Sequence, residues 1–172
     1  MTRDARLVPV IEAVAAANLD PNRYYGPPQR LPHNHGLMAN LALLHSADLL
    51  ARSDLRDAAV ERLRVAIDTS FTAQGVSIEQ STEYHREVVA MWSAAALEVR
   101  GIGGAGPVAL ADHIDVVVAR ARSAYQFLVA PDGYPVALGD LQAPRTTPVP
   151  QRYTSFVDSY AGVLSSRWSW VA

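Results

Sequence analysis

The chain has 172 residues, 49% apolar and 19% charged, a composition that suits a globular chain and excludes a low-complexity polar one. Its formal charge is −2, from 15 basic and 17 acidic residues, which argues against nucleic-acid partners because their binding surfaces carry a basic face. Cysteine is absent, so neither a disulfide framework nor a thiolate metal site is open to it.

A domain of this length buries roughly 70% of its unfolded surface. Every basic residue is Arg, which reads first as composition bias. No apolar run approaches the ~20 residues needed to span a bilayer, so no membrane partner is expected. Asp4 and Glu12 interrupt the N-terminal stretch, which lacks a signal-peptide layout.

In chain order, Leu7, Val8, Ile11 and Val14 recur at helical spacing and predict a helix over 4–17, stopped by Asn18. Residues 19–32 read as loop, broken by Pro21, Pro27, Pro28 and Pro32. Tyr24 and Tyr25 in that loop can pack over a neighbour or offer a platform to a sugar ring. A helix over 34–52 follows, with Leu37, Met38, Leu41 and Leu44 as its apolar stripe and Asn34 suited to cap it. His45 falls on the apolar side and reads as a core histidine. His33 and His35 flank the helix start. As an i, i+2 pair with no third ligand in register they do not make a metal site.

Ser53 caps the next predicted helix, which runs to Ala73. Leu55, Ala59, Leu63, Ile67 and Phe71 step along one face, while Asp57, Glu61, Arg62 and Arg64 are assigned to solvated faces. Gly75 is its stop signal. Ser81 or Thr82 caps a helix to Arg100, with Val88, Met91, Trp92, Ala95 and Val99 inward and Gly101 as the stop. Backbone N–H groups in its first turn favour negative charge, so an anion meeting Tyr84 there lies in a favourable field. The GIGGAG run, 101–106, follows a helix rather than a strand and is a linker, not a phosphate loop. Pro107 opens a helix to Leu128, with Leu110, Ile114, Val117, Ala121, Ala124 and Leu128 inward and His113 at the surface or partly packed. A turn spans 131–135. After the Pro-rich stretch 143–150, residues 153–171 have β character.

Two polar knots stand out from this frame. Residues 74–86 crowd Glu79, Gln80, Ser81, Glu83, Tyr84, His85 and Arg86 at the opening of one helix, and His33-Asn34-His35-Gly36 opens another. The expectation is that the two face one cleft. A link between packed helices needs a glycine and a cap, not two carboxylates, a phenol and an imidazole together.

These segments also carry a family resemblance. His33-Asn34-His35-Gly36 resembles the Asn-His-Gly motif of the heparinase II/III-like and alginate-lyase polysaccharide lyases. The run from Gly75 to His85 resembles that family's Gly…Glu-x-Ser-x-x-Tyr-His motif. Residues 132–135 and 138–140 resemble the segment that closes its helical domain, and residues 159–168 resemble the first strands of its β-sandwich.

The resemblance implies a mainly α chain: a partial (α/α) toroid of antiparallel helical hairpins over 1–142, then a linker and the first strands of a β-sandwich over 143–172. It implies β-elimination on an acidic, uronic-acid-containing polysaccharide or oligosaccharide. Asn34 and His35 would neutralise the substrate carboxylate so that an enolate-like intermediate can form. Tyr84 would serve as acid, or as acid and base. A free phenol has a pKa near ~10, so the base role calls for cationic neighbours such as His35, His85 or Arg86. His33, Glu79, Ser81, His85 and Arg86 would bind or support. In the family a further catalytic His, and in several members a structural metal, come from the β-sandwich, so no cofactor is expected on these residues. A partial toroid exposes helix faces and predicts self-association.

Two other readings are consistent with the residues. One is an (α/α)-barrel glycoside hydrolase using Glu79 and Glu83, which needs carboxyls roughly 5–10 Å apart across one cleft. The other is a helical carbohydrate-binding or scaffold protein that keeps a cleft without the chemistry.

Overall fold

In the computed structural model the chain is mainly helical, with two small two-stranded antiparallel sheets. The structure describes residues 5–26, 31–32, 34–79, 81–130, 132–138 and 154–167. The chain divides into two compact units, Met1–Ser70 with Ile102–Pro107, and Phe71–Gly101 with Val108–Ala172.

The first unit begins with a short 3-10 turn (Ala5–Leu7) that runs into helix α1 (Val8–Leu19). The expected stripe of α1 is corrected: Leu7 and Val14 are exposed, and Ala15 is the buried residue. The expected loop is partly ordered into α2 (Pro21–Tyr24), β1 (Tyr25–Gly26) and β2 (Leu31–Pro32). Pro21 is compatible with this because it opens α2, where its missing N–H would have had no helical partner. Asp20 supports the turn through Oδ1, which accepts from the Asn22 backbone N–H at 2.9 Å.

Helices α3 (Asn34–Leu50) and α4 (Ser53–Ser70) pack on each other, and α1 packs on α3. On α3 the buried positions are Gly36, Leu37, Asn40, Leu43, Leu44, Ser46 and Ala47, which recur at helical spacing on one side. Met38 and His45 lie seven residues apart on the other face. Met38 is 59% exposed, and His45 is exposed rather than a core histidine. The buried polar residues are instead Asn40, whose Nδ2 donates to the Gly36 carbonyl at 2.8 Å, and Ser46, whose hydroxyl donates to the Ala42 carbonyl at 2.8 Å. The α3 terminus closes as a Schellman motif: Arg52 N–H donates to Ala47 O, Ala51 N–H to Asp48 O, and Ala51 takes φ 56°. Leu55, Ala59, Leu63 and Ile67 are buried along α4 as expected. Arg62 is not simply solvated: it donates to the carbonyls of Asn18 and Leu19 at 3.0 and 2.6 Å, completing the end of α1.

The second unit begins where α4 stops. Ser70 rather than Ala73 ends that helix, because Phe71 leaves it to pair with Ser77 across a tight turn. Gly75 sits in this turn, not at a helix end, with φ +92°. A Cβ there would lie 2.9 Å from the carbonyl carbon and oxygen of Arg120, so only glycine allows the approach. Helix α5 (Thr82–Ile102) passes through Gly101, and the left-handed residue that follows it is Gly103, φ +76°. Helix α6 (Ala105–Tyr125) and a 3-10 turn (Gln126–Leu128) complete the helical part.

Val88, Trp92, Ala95 and Val99 of α5 are buried, as are Leu110, Ile114, Val118, Ala121 and Ala124 of α6. Arg100 donates to Asp112 and Asp115 at one end of the pair, and His85 meets Ala121 at the other, so α5 and α6 run antiparallel. Of the expected turn over 131–135, Pro131 lies outside the described residues; around the rest, Val129 pairs with Pro135, Gly133 takes φ +87°, and its N–H donates to Ala130 O. A hairpin of β3 (Thr154–Asp158) and β4 (Val163–Arg167) follows, in register from Thr154 opposite Arg167 to Asp158 opposite Val163. Phe156 faces the helices and stacks on Phe127, centroids 4.7 Å apart. Val157 and Leu164 point to solvent. Trp168, Trp170 and the Pro-rich stretch lie outside the described residues.

Candidate active site

The opening of α5 is built by capping and by contacts from elsewhere in the second unit. Ser81 precedes the helix, and its Oγ accepts from Tyr84 N–H at 3.4 Å, the bond of an N-cap serine. Thr82 is fully buried: its hydroxyl donates to Val136 O at 2.7 Å and its N–H to Leu138 O at 3.2 Å. These bonds tie the helix start to the extended segment that follows Pro135. They also narrow the expected favourable field for an anion at Tyr84. Thr82 and Tyr84 N–H groups are already used, so any anion at Tyr84 feels the helix dipole rather than those amides.

His85 is 1% exposed. Its Nδ1 accepts from Ser77 N–H at 3.1 Å, and Nε2 lies 3.0 Å from Ala121 O. A ring nitrogen that accepts carries no proton, so the proton is on Nε2 and is donated to Ala121. Tyr125 stacks on the ring (5.6 Å, 10°), and Phe71 meets it edge-on (6.0 Å, 75°). Burial pushes the His85 pKa below its usual value, outweighing the Ala121 carbonyl, which acts to raise it. The expectation that His85 supplies positive charge to Tyr84, or meets a substrate, is therefore corrected. It is a neutral, sealed support.

Tyr84 is different: it is 43% exposed on the first turn of α5. Arg86 is exposed and pairs with Glu87. Glu83 and Glu79 are half-buried, and Glu79 N–H donates to Ser77 Oγ at 3.3 Å. Sequence reasoning missed Tyr125. Its hydroxyl is buried without a hydrogen-bond partner, and burial raises its pKa, with Arg86 lowering and Glu83 raising it to lesser extents. Position 125 falls one helical turn after the inward Ala121, the one signal for it in the sequence.

Asn34 and His35 belong to the first unit, where Asn34 is half-buried at the start of α3 and His35 is exposed in its first turn. Residues 74–86 belong to the second unit. His33 and Gln80 lie outside the described residues. Among the described residues, no group of three His, Asp or Glu side chains stands ready to hold a metal ion. Among the same residues, no helix is long and apolar enough to cross a membrane. Comparison with protein-family models, curated protein sequences and solved structures returns no match to this chain.

Proposed function

We propose that this chain carries the helical part of a polysaccharide-lyase site, with Tyr84 as the proton-transfer residue in β-elimination of a uronic-acid polymer. One observation carries the reading. Ser81, Thr82 and His85 are buried and hydrogen-bonded, and Tyr84, set among them, is exposed. A motif of this composition divides into residues that build a rigid seat and a residue that the seat presents. Rigid seating is what proton transfer in a transition state requires.

In the proposed reaction Tyr84, as phenolate, takes the proton from the carbon α to the carboxyl group, and the electron pair forms a C=C bond. The bond from the β-carbon to the glycosidic oxygen breaks, and that oxygen takes up a proton. Tyr84 protonates the departing oxygen. With His85 neutral, Arg86 is the remaining cation of the 74–86 segment for a Tyr84 that also acts as base. The resemblance assigns Asn34 and His35 to the substrate carboxylate, whose charge must be offset before the α-proton becomes acidic enough to remove. The finer architecture is part of the same proposal: α1 to α6 belong to an (α/α) toroid, and β3–β4 opens a β-sandwich. The antiparallel α5–α6 pair and the hairpin after it support this reading.

Product chemistry tests the function. The chain is incubated with alginate, heparan-type and other polyuronates, and products are followed by ultraviolet absorbance and reducing ends. New reducing ends with absorbance of an unsaturated uronate support a lyase. Reducing ends without absorbance identify a hydrolase, and an intact but bound polymer identifies a binding protein; either outcome overturns the proposal.

A further inference from the structure

We infer that Asp158, on the β-hairpin, is a positioning residue for the α5 opening, acting through Thr72 and Ser77 on His85. The inference rests on the reading of Tyr84 as the group that this opening presents.

Asp158 is 2% exposed, and a buried carboxylate must be satisfied by donors. Oδ1 accepts from the N–H groups of Tyr160 and Ala161 at 3.1 and 2.9 Å, which shapes the turn between β3 and β4. Oδ2 accepts from the hydroxyl of Thr72. The carboxylate therefore joins the hairpin to the turn that precedes α5.

Thr72 organises that turn. Its Oγ1 accepts from Val76 N–H at 3.0 Å, its own N–H donates to Val76 O at 2.8 Å, and its carbonyl accepts from Gly75 N–H at 2.9 Å. The next residue, Ser77, donates its N–H to Nδ1 of His85. That bond selects the Nε2–H tautomer and, with Ala121 O, fixes the ring in place. Tyr84 is the next residue along the helix. The hairpin thus reaches the candidate site by hydrogen bonds joined through the Val76–Ser77 and Tyr84–His85 peptide links. The requirement falls on the carboxylate itself, because Thr72 uses its hydroxyl as donor to Asp158 and as acceptor from Val76.

The test uses the full chain, with Thr72→Val, Thr72→Ser and Asp158→Asn. Thr72→Val keeps the side-chain shape but removes the hydroxyl; Thr72→Ser keeps the hydroxyl. The readouts are amide hydrogen exchange at Ser77, the ring nitrogen shifts of His85, and kcat and KM on whichever polyuronate the native chain cleaves. The expected result is faster Ser77 exchange in Thr72→Val and Asp158→Asn, by about tenfold or more, with perturbed His85 shifts and native behaviour in Thr72→Ser. With a cleavable polymer, kcat falls by about tenfold or more while KM stays within about twofold. Unchanged exchange and ring shifts in folded Thr72→Val overturn the inference. So does global unfolding of Thr72→Val, which would make the contact a general support. A native chain that cleaves nothing, with exchange and ring shifts responding as expected, sinks the lyase reading and leaves the hairpin linkage standing.

Discussion

Replacing Gly75 by alanine tests the geometry under the candidate site without reference to function. Two effects add at this position. The backbone sits at φ +92°, which costs an L-residue about 1–2 kcal/mol. The new Cβ would also lie 2.9 Å from the backbone of Arg120, inside normal contact distance, and relieving such overlap costs about 1–3 kcal/mol. The sum is about 2–5 kcal/mol. Gly162 is the control: it has φ +68° with nothing within 4 Å of a built Cβ, so alanine there costs about 1 kcal/mol. Both glycines lie in the second unit and report on the same transition. With a urea m-value of about 2 kcal/mol/M, Gly75→Ala lowers the midpoint by about 1–2.5 M and Gly162→Ala by about 0.5 M. Equal shifts in the two variants would refute the close approach of the 72–76 turn to α6.

Other perturbations follow from the same contacts. Unfolded His85 takes up a proton near pH ~6.5, and folded His85 only at lower pH. Its contribution is therefore complete above about pH 6.5 and is lost as pH falls below it, by at most about 1.4 kcal/mol per pH unit; a urea midpoint no lower at pH 5.5 than at 7.5 contradicts this. Arg62→Ala removes both donors to the last carbonyls of α1 and costs about 1–2 kcal/mol, with faster amide exchange at the end of α1 as the check. Ala51→Gly relieves a left-handed alanine at the α3 terminus and stabilises by about 0.5–1 kcal/mol; a lower Tm in this variant would contradict the Schellman assignment.

Legibility in the sequence followed the range of the interactions. The α4 stripe was plain because Leu55, Ala59, Leu63 and Ile67 repeat at four-residue steps against a polar background. On α3 apolar residues occupy nearly every face, so periodicity could not separate buried Leu43 from exposed Met38. Asn40 was hidden because it satisfies one amide within its own helix. The cap at Ser81 is local and was readable. The state of His85 was not, because Ser77, Ala121 and Tyr125 reach it from other segments. Nor could spacing pair Thr72 with Asp158, although an Asp ahead of a turn was a visible sign that the carboxylate caps something.

In the proposed reaction Tyr84 is the reactive group on a rigid seat. The most direct measurement is the initial rate of ultraviolet-absorbing product from a polyuronate, native chain against Tyr84→Phe, with urea midpoints recorded for both. Tyr84 is exposed, so loss of its hydroxyl leaves the stability within about 0.5 kcal/mol of native. The rate is expected to fall by at least about a hundredfold in the variant. A Tyr84→Phe rate equal to that of an active native chain would rule out Tyr84 as the proton-transfer residue.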